Sequence, residues 1–111
     1  MHEMAITVGI IDLCLQHAAG RRVRSIDVEI GNLSSVVPEA IEFCFDACSR
    51  DTLLEGASLA IFRIAGQGEC LECGATTPMA ELFAACQECG SNRVTITVGE
   101  ELRVREIEVE D

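Results

Sequence analysis

The chain has 111 residues, with 19 acidic side chains against eight arginines, no lysine and a formal net charge of −11. That length holds one small domain plus a satellite needing another means of support. The acidity speaks against nucleic acid, whose binders present basic stripes, and suits the handling of cations or a basic partner. No run is long or apolar enough for a membrane span, and the start lacks the basic-then-apolar layout of a signal peptide. Seven cysteines, an odd number, fit a reducing cytoplasm better than a disulfide scaffold.

Residues 3–19 read as an amphipathic helix, with Met4, Val8, Ile11, Leu15 and Ala18 as its apolar stripe and Gly20 as its stop. Val23 to Ile30 alternates as a strand, with Arg24, Ile26, Val28 and Ile30 on one side and Ser25, Asp27 and Glu29 on the other. Gly31-Asn32 breaks it. Pro38 fits the first turn of a second helix, Glu39 and Glu42 complement its dipole, and Ile41, Cys44, Phe45 and Cys48 share a face. A second strand is expected over 57–64. Beyond a segment of about 67–93 come Val94–Val98 and Leu102–Val109, two β-rich runs. A slip of phase between Val104 and Ile107 points to a bulge or bend near Arg105-Glu106.

The segment between the last predicted strands carries Cys70-Leu71-Glu72-Cys73 and Cys86-Gln87-Glu88-Cys89, twelve residues apart, each followed by glycine. Four thiolates at such a spacing close a tetrahedron around Zn²⁺. The glycines, Gly74 and Gly90, can take the positive φ that a chain turning beneath the sulfurs requires. A site of four cysteines leaves no position for water, so the metal would be structural. Iron in a rubredoxin-like site suits the same sulfurs. A redox dithiol pair or two disulfides are further readings, although no βαβ pattern surrounds either motif.

The elements sum to an α+β fold: a small sheet of about three strands with two helices on one face, plus an inserted zinc-ribbon-like module with a four-cysteine site. The expected division is 1–66 with 99–111 as an α/β domain and 67–98 as a zinc-binding module. The first of these offers a candidate metal chelate at its start, Met1-His2-Glu3-Met4. The amine of Met1, the backbone nitrogen of His2 and its Nδ1 can wrap a metal in two fused rings, three corners of the square plane that suits Ni(II) or Cu(II). The Glu3 amide or carboxylate, or a partner's donor, would complete it. Amide protons must leave, so affinity should fall as pH drops. The same residues also fit a plain helix start, with Glu3 compensating the dipole.

Taken together, Met1-His2-Glu3-Met4, Val28-Glu29-Ile30-Gly31-Asn32-Leu33-Ser34, Val37-Pro38-Glu39, Phe43-Cys44-Phe45-Asp46, both knuckles and Gly99-Glu100-Glu101-Leu102-Arg103-Val104 resemble the HypA/HybF family. The resemblance covers essentially the whole chain. It implies a nickel metallochaperone for [NiFe]-hydrogenase maturation, in some bacteria also for urease. It further implies structural Zn²⁺ on Cys70, Cys73, Cys86 and Cys89 and transported Ni²⁺ on Met1, His2 and Glu3. The implied partners are a maturation GTPase of the same pathway and the hydrogenase large subunit. A homodimer is compatible with it; nucleic acid and membrane are not expected partners. Two features depart from the family: no histidine flanks the knuckles, and none occurs after His17.

Cys14, Cys44 and Cys48 read as core packing before a second thiolate site, and His17 as a partner for the helix C-terminus before a ligand. Glu39 serves helix-start electrostatics or a nickel ligand equally well. The acidic end, Glu106 to Asp111, reads as a solvated strand face. No activated nucleophile, acid–base pair, open metal site or phosphate loop is evident, so no enzyme is expected. The alternative function is a zinc-ribbon protein–protein adaptor without a metal-transfer role.

Overall fold

A computed structural model of the chain describes residues 3–111. Helix α1 (Glu3–Ala18) is followed by strand β1 (Val23–Gly31), helix α2 (Pro38–Ser49) and strand β2 (Ser58–Ile64). Strands β3 (Gly66–Cys70), β4 (Thr76–Met79), β5 (Val94–Val98) and β6 (Leu102–Val109) complete the order. Two three-stranded sheets result, β2-β1-β6 and β4-β3-β5. The architecture is the expected α+β one, two helices with small sheets and a cysteine cluster.

Two compact units are separable. One runs to Glu29 and includes Val36–Phe62 and Arg103–Asp111; the other is Ile30–Ser35 with Arg63–Leu102. In the first, β1 is the central strand and alternates as expected: Ile26 and Val28 are wholly buried, while Asp27 and Glu29 are half-buried on the opposite face. Glu29 there meets Arg103 Nε and, at 3.7 Å, Arg105. Arg24 departs from the apolar side assigned by alternation; it is exposed and lies 3.9 Å from Glu108. The phase slip in β6 is visible as two successive exposed residues, Arg105 and Glu106, between half-buried Val104 and Ile107.

Helix α1 buries a face rotated from the predicted stripe, sharing Ile11 and Ala18 with it. Met4 and Val8 are exposed, and the buried residues are Thr7, Ile10, Ile11, Cys14 and Ala18. Thr7 can turn inward because its hydroxyl donates to the Glu3 carbonyl at 2.7 Å, leaving no polar atom unpaired. The helix packs on α2, which buries Ile41, Phe45 and Ser49. Past Ala18 the chain reverses through Ala19 (φ 52°) and Gly20 (φ 86°), so two residues share the left-handed stop expected of Gly20 alone. Pro38 opens α2 as expected, without a capping side chain at Val37.

The second unit contains two strands within the segment expected to be metal-binding loop, β3 and β4. Strand β3 pairs antiparallel with β4 from Gly66↔Met79 to Glu69↔Thr76, and with β5 from Gln67↔Val98 to Cys70↔Val94. Their sequences, Gly-Gln-Gly-Glu-Cys and Thr-Thr-Pro-Met, lack the β-branched alternation that marks strands. Pairing between neighbours made them strands.

Candidate metal centre

Each cysteine pair sits on a turn built in the same way. The amide of Cys70 donates to Ala75 O at 2.9 Å, and that of Gly74 to Cys70 O at 2.9 Å. In the second knuckle Cys86 N–H donates to Ser91 O and Gly90 N–H to Cys86 O, both at 2.8 Å. Gly74 and Gly90 have φ of 76° and 78°, the left-handed conformation expected of them. Two equivalent turns therefore face each other. Each offers one buried sulfur (Cys70, Cys86) and one exposed (Cys73, Cys89).

The four sulfurs lie within 4.8 Å of one another. Across the knuckles, Cys70 Sγ is 3.6 Å from Cys89 Sγ and Cys73 Sγ is 3.7 Å from Cys86 Sγ. A tetrahedron whose corners are each about 2.3 Å from a central ion has edges of about 3.8 Å. The observed separations match that figure and are far longer than the ~2.05 Å of a disulfide. The donor set thus fits Zn²⁺, and fits iron in the same geometry.

Local amides prepare the sulfurs for a cation. The Cys73 N–H directed at Cys70, followed by that of Glu72 and by its neighbouring thiols, brings the Cys70 thiol down to about 7 against the opposing effect of burial. Glu88 N–H donates to Cys86 Sγ at 3.4 Å in the corresponding position of the second knuckle. Cys89 moves the other way: the Ser91 amide lowers it, but Cys70, burial and the other two sulfurs together push it up to about 12. Cys73 is also raised, its Ala75 amide being outweighed by burial and the facing sulfurs. Four sulfurs this close cannot all ionise without a cation between them.

One supporting residue escaped sequence reading. Thr77, wholly buried on β4, accepts a hydrogen bond from Gln87 N–H at 3.1 Å, fixing the second knuckle to the first hairpin. A threonine inside a short apolar-poor segment carries no local signal of such a role. Replacing it as Thr77→Val keeps the shape but orphans the amide, a cost of about 1–3 kcal/mol. The expected result is faster transfer of metal from the variant to a chelator, measured spectrophotometrically, with an unchanged metal count. Outside the centre, Arg93 bridges to Glu72 at 2.8 Å, and Leu71 N–H donates to Arg93 O at 2.8 Å. The ion pair is exposed and contributes little by itself.

The structure places the remaining candidates as follows. Met1 and His2 lie outside the described residues. Glu3 opens α1, where its carbonyl accepts the Thr7 hydroxyl. Cys14 is buried on α1, which pushes its thiol up to about 11; Cys44 and Cys48 are half-buried on α2. Among the described residues, the four knuckle cysteines are the group whose donor atoms converge as a metal site would require. No helix among them is long and apolar enough to cross a membrane.

Comparison with known proteins agrees along the full length. A family model described as hydrogenase/urease nickel incorporation, metallochaperone, matches residues 1–109. The hydrogenase maturation factor HypA of Geobacter metallireducens is 54% identical over 110 residues, covering 99% of this chain and 100% of that protein. That of Crocosphaera subtropica is 44% identical over 111 residues, covering 100% of this chain and 97% of that one. The solution structure of the Ni metallochaperone HypA from Helicobacter pylori is similar with a TM-score of 0.69 at 26% identity, over 98% of this chain and 97% of that one. The chain belongs to the HypA family of hydrogenase/urease nickel-incorporation metallochaperones, which are maturation factors and not catalytic enzymes.

Proposed function

We propose that the chain binds Ni²⁺ through Met1, His2 and Glu3 and delivers it for maturation of [NiFe]-hydrogenase, with urease as a further client in some bacteria. The observation that carries this reading is the family match over 1–109 in a chain that opens Met1-His2-Glu3-Met4. The amine and backbone nitrogen of the start, with His2 Nδ1, supply three planar nitrogen donors, and Glu3 supplies the fourth. A corner so easily exchanged suits a protein that must give its metal up.

In the same reading Cys70, Cys73, Cys86 and Cys89 hold a structural Zn²⁺, supported by sulfur separations that match a tetrahedral thiolate site. Residues 1–66 with 99–111 form the nickel-binding domain, and 67–98 the zinc-binding module. The partners are the maturation GTPase of the pathway and the hydrogenase large subunit, in the cytoplasm. The closed cysteine site also supports a second reading, a zinc-ribbon adaptor that transfers no metal.

Metal analysis separates the two. Protein carrying its native start is dialysed against limiting nickel and zinc, beside His2→Ala. The expected result is one zinc in both proteins and about one nickel in the wild type alone. Zinc without nickel in both proteins would favour the adaptor. A red protein with visible charge-transfer absorption would assign iron to the cysteine site.

A further inference from the structure

The knuckle sulfurs are of two kinds: Cys70 and Cys86 are buried, Cys73 and Cys89 exposed. The contacts across the knuckles each join one of either kind. Cys70 Sγ lies 3.6 Å from Cys89 Sγ, and Cys73 Sγ lies 3.7 Å from Cys86 Sγ. Each sulfur that a small oxidant reaches therefore has a buried sulfur directly behind it. An accessible thiolate beside a resolving cysteine is the arrangement that favours reversible oxidation.

We propose that the metal centre is a thiol-oxidation site for hydrogen peroxide, in which two nested disulfides, Cys70–Cys89 and Cys73–Cys86, take the place of the metal. The inference rests on the assignment of Zn²⁺ to these four cysteines. Ligation by a divalent cation keeps the sulfurs deprotonated, and the thiolate is the form that reacts. The exposed thiolate attacks one peroxide oxygen, the O–O bond breaks, and a sulfenic acid and hydroxide form. The buried thiolate opposite then attacks the sulfenic sulfur. The S–O bond breaks, hydroxide leaves, and the disulfide closes. Each closure consumes one peroxide, which takes up two electrons. Four thiolates and two peroxides thus become two disulfides and four hydroxides, and the ion, left without ligands, is released.

Two other pairings of the four sulfurs exist. Cys70–Cys86 with Cys73–Cys89 would join the two buried sulfurs, neither of which faces the oxidant. Closure within each knuckle would leave the two knuckles unlinked once the ion is gone. The cross-knuckle bonds span 13 and 19 positions, one loop inside the other. Longer loops remove more disorder from the unfolded chain. The hydrogen bond from Gln87 N–H to Thr77 already holds the knuckles in the orientation these bonds need. The oxidised unit accordingly stays tied together and can take up metal again after reduction. Glu72 and Glu88 precede the two exposed cysteines in a chain of net charge −11. An uncharged peroxide therefore reaches them more readily than an anionic disulfide such as oxidised glutathione.

The test treats the zinc-loaded full chain with hydrogen peroxide beside a metallochromic indicator. Zinc counted before treatment checks the metal assignment on its own. The expected result is loss of the bound zinc, with two peroxides consumed for each ion released. Remaining thiols are then alkylated, and cleavage after Glu69, Glu72, Glu81 and Glu88 puts each knuckle cysteine on its own fragment. Mass spectrometry should find fragment 70–72 joined to the one that begins at Cys89, and 73–81 joined to 82–88. Dimedone present during oxidation should label Cys73 and Cys89 and spare Cys70 and Cys86. A dithiol reductant with added zinc should restore the metal. Zinc retained under peroxide, fragments joined within one knuckle, or failure of the reduced protein to rebind zinc overturns the proposal and leaves the zinc assignment standing. Protein that holds no zinc before peroxide refutes the assignment and the proposal together.

Discussion

Cys86→Ala is expected to leave the protein without its knuckle metal and to unfold the unit of Ile30–Ser35 and Arg63–Leu102, while the other unit stays folded. The second unit has few buried apolar side chains of its own. Ile30, Leu33, Met79, Cys70 and Cys86 are buried there, and two of those five are candidate metal ligands. A core so small cannot offset the entropy of ordering the segment. A structural zinc contributes on the order of 10–16 kcal/mol in small zinc domains, enough to decide the outcome. The first unit has its own core in Ile26, Val28, Ile41, Phe45 and Leu54. Amide exchange followed by NMR should therefore show protection lost in β3, β4 and β5 and retained in α1, α2 and β1. Cooperative loss of protection in both units would contradict this account.

Acid should reach the same end state. Zinc requires four thiolates, so protons compete with it. Cys70, lowered from 9.0 to about 7, contributes stability present above its unfolded value and lost as pH falls through 7. Cys73 and Cys89, raised in the metal-free cluster, lose their protons to solvent at neutral pH only when the ion displaces them. Zinc affinity should accordingly drop by roughly a hundredfold or more per pH unit below 7, measured by competition with a chelator of known affinity. In the metal-free protein the sign at Cys89 is opposite. Its raised value, about 12, favours the folded form below pH 9, and that contribution disappears as pH rises from 9 to 12.

The second large effect is expected from a residue with no chemistry. Gly31→Ala should destabilise the unit it belongs to by about 3 kcal/mol, the upper range for overpacking. A methyl group at Gly31 would collide with the carbonyl oxygen and carbon of Gly99, which are backbone atoms and cannot rotate away. The strands are held there by Leu33 N–H donating to Gly99 O at 2.7 Å. Gly99 itself has φ of 119° and would bring a Cβ within 2.7 Å of Gly66 Cα. Three glycines thus meet where three segments cross. By contrast Gly9→Ala, with open space at its Cβ and a place inside α1, should stabilise by about 0.5–1 kcal/mol. Chemical denaturation of both variants, monitored by resonances of each unit, measures the pair.

Gly31 illustrates how far sequence reading reaches. It was legible as the end of a strand, since β1 closes at that residue. That the position also admits no side chain depends on Gly99, far away in the chain. The same division runs through α1. Its existence and approximate ends followed from periodicity and Gly20, but only Ile11 and Ala18 of its buried face did, because Thr7 can be buried by satisfying its own helix. Strands β5 and β6 were legible from their β-branched residues. Strands β3 and β4 were not, since glycine, glutamine and proline carry no strand signal and neighbouring backbone edges decided their state.

The cysteine site lies between these cases. The candidate donors, their number and the knuckle turns were written locally: C-x-x-C followed by glycine closes its own turn through short-range hydrogen bonds. The convergence of the two knuckles required the hairpin of β3 and β4 and the Thr77 hydrogen bond to bring Cys70 to Cys89. By itself the sequence determined the family, through motifs spread along the chain, and the helices, strands β1, β2, β5 and β6 and the candidate donor set, which depend on residues near one another in sequence. The tertiary structure alone decided strand partnership, the rotation of the face that α1 buries and the glycines that cannot be replaced. Those depend on which distant backbones come within van der Waals reach, and no local pattern encodes that distance.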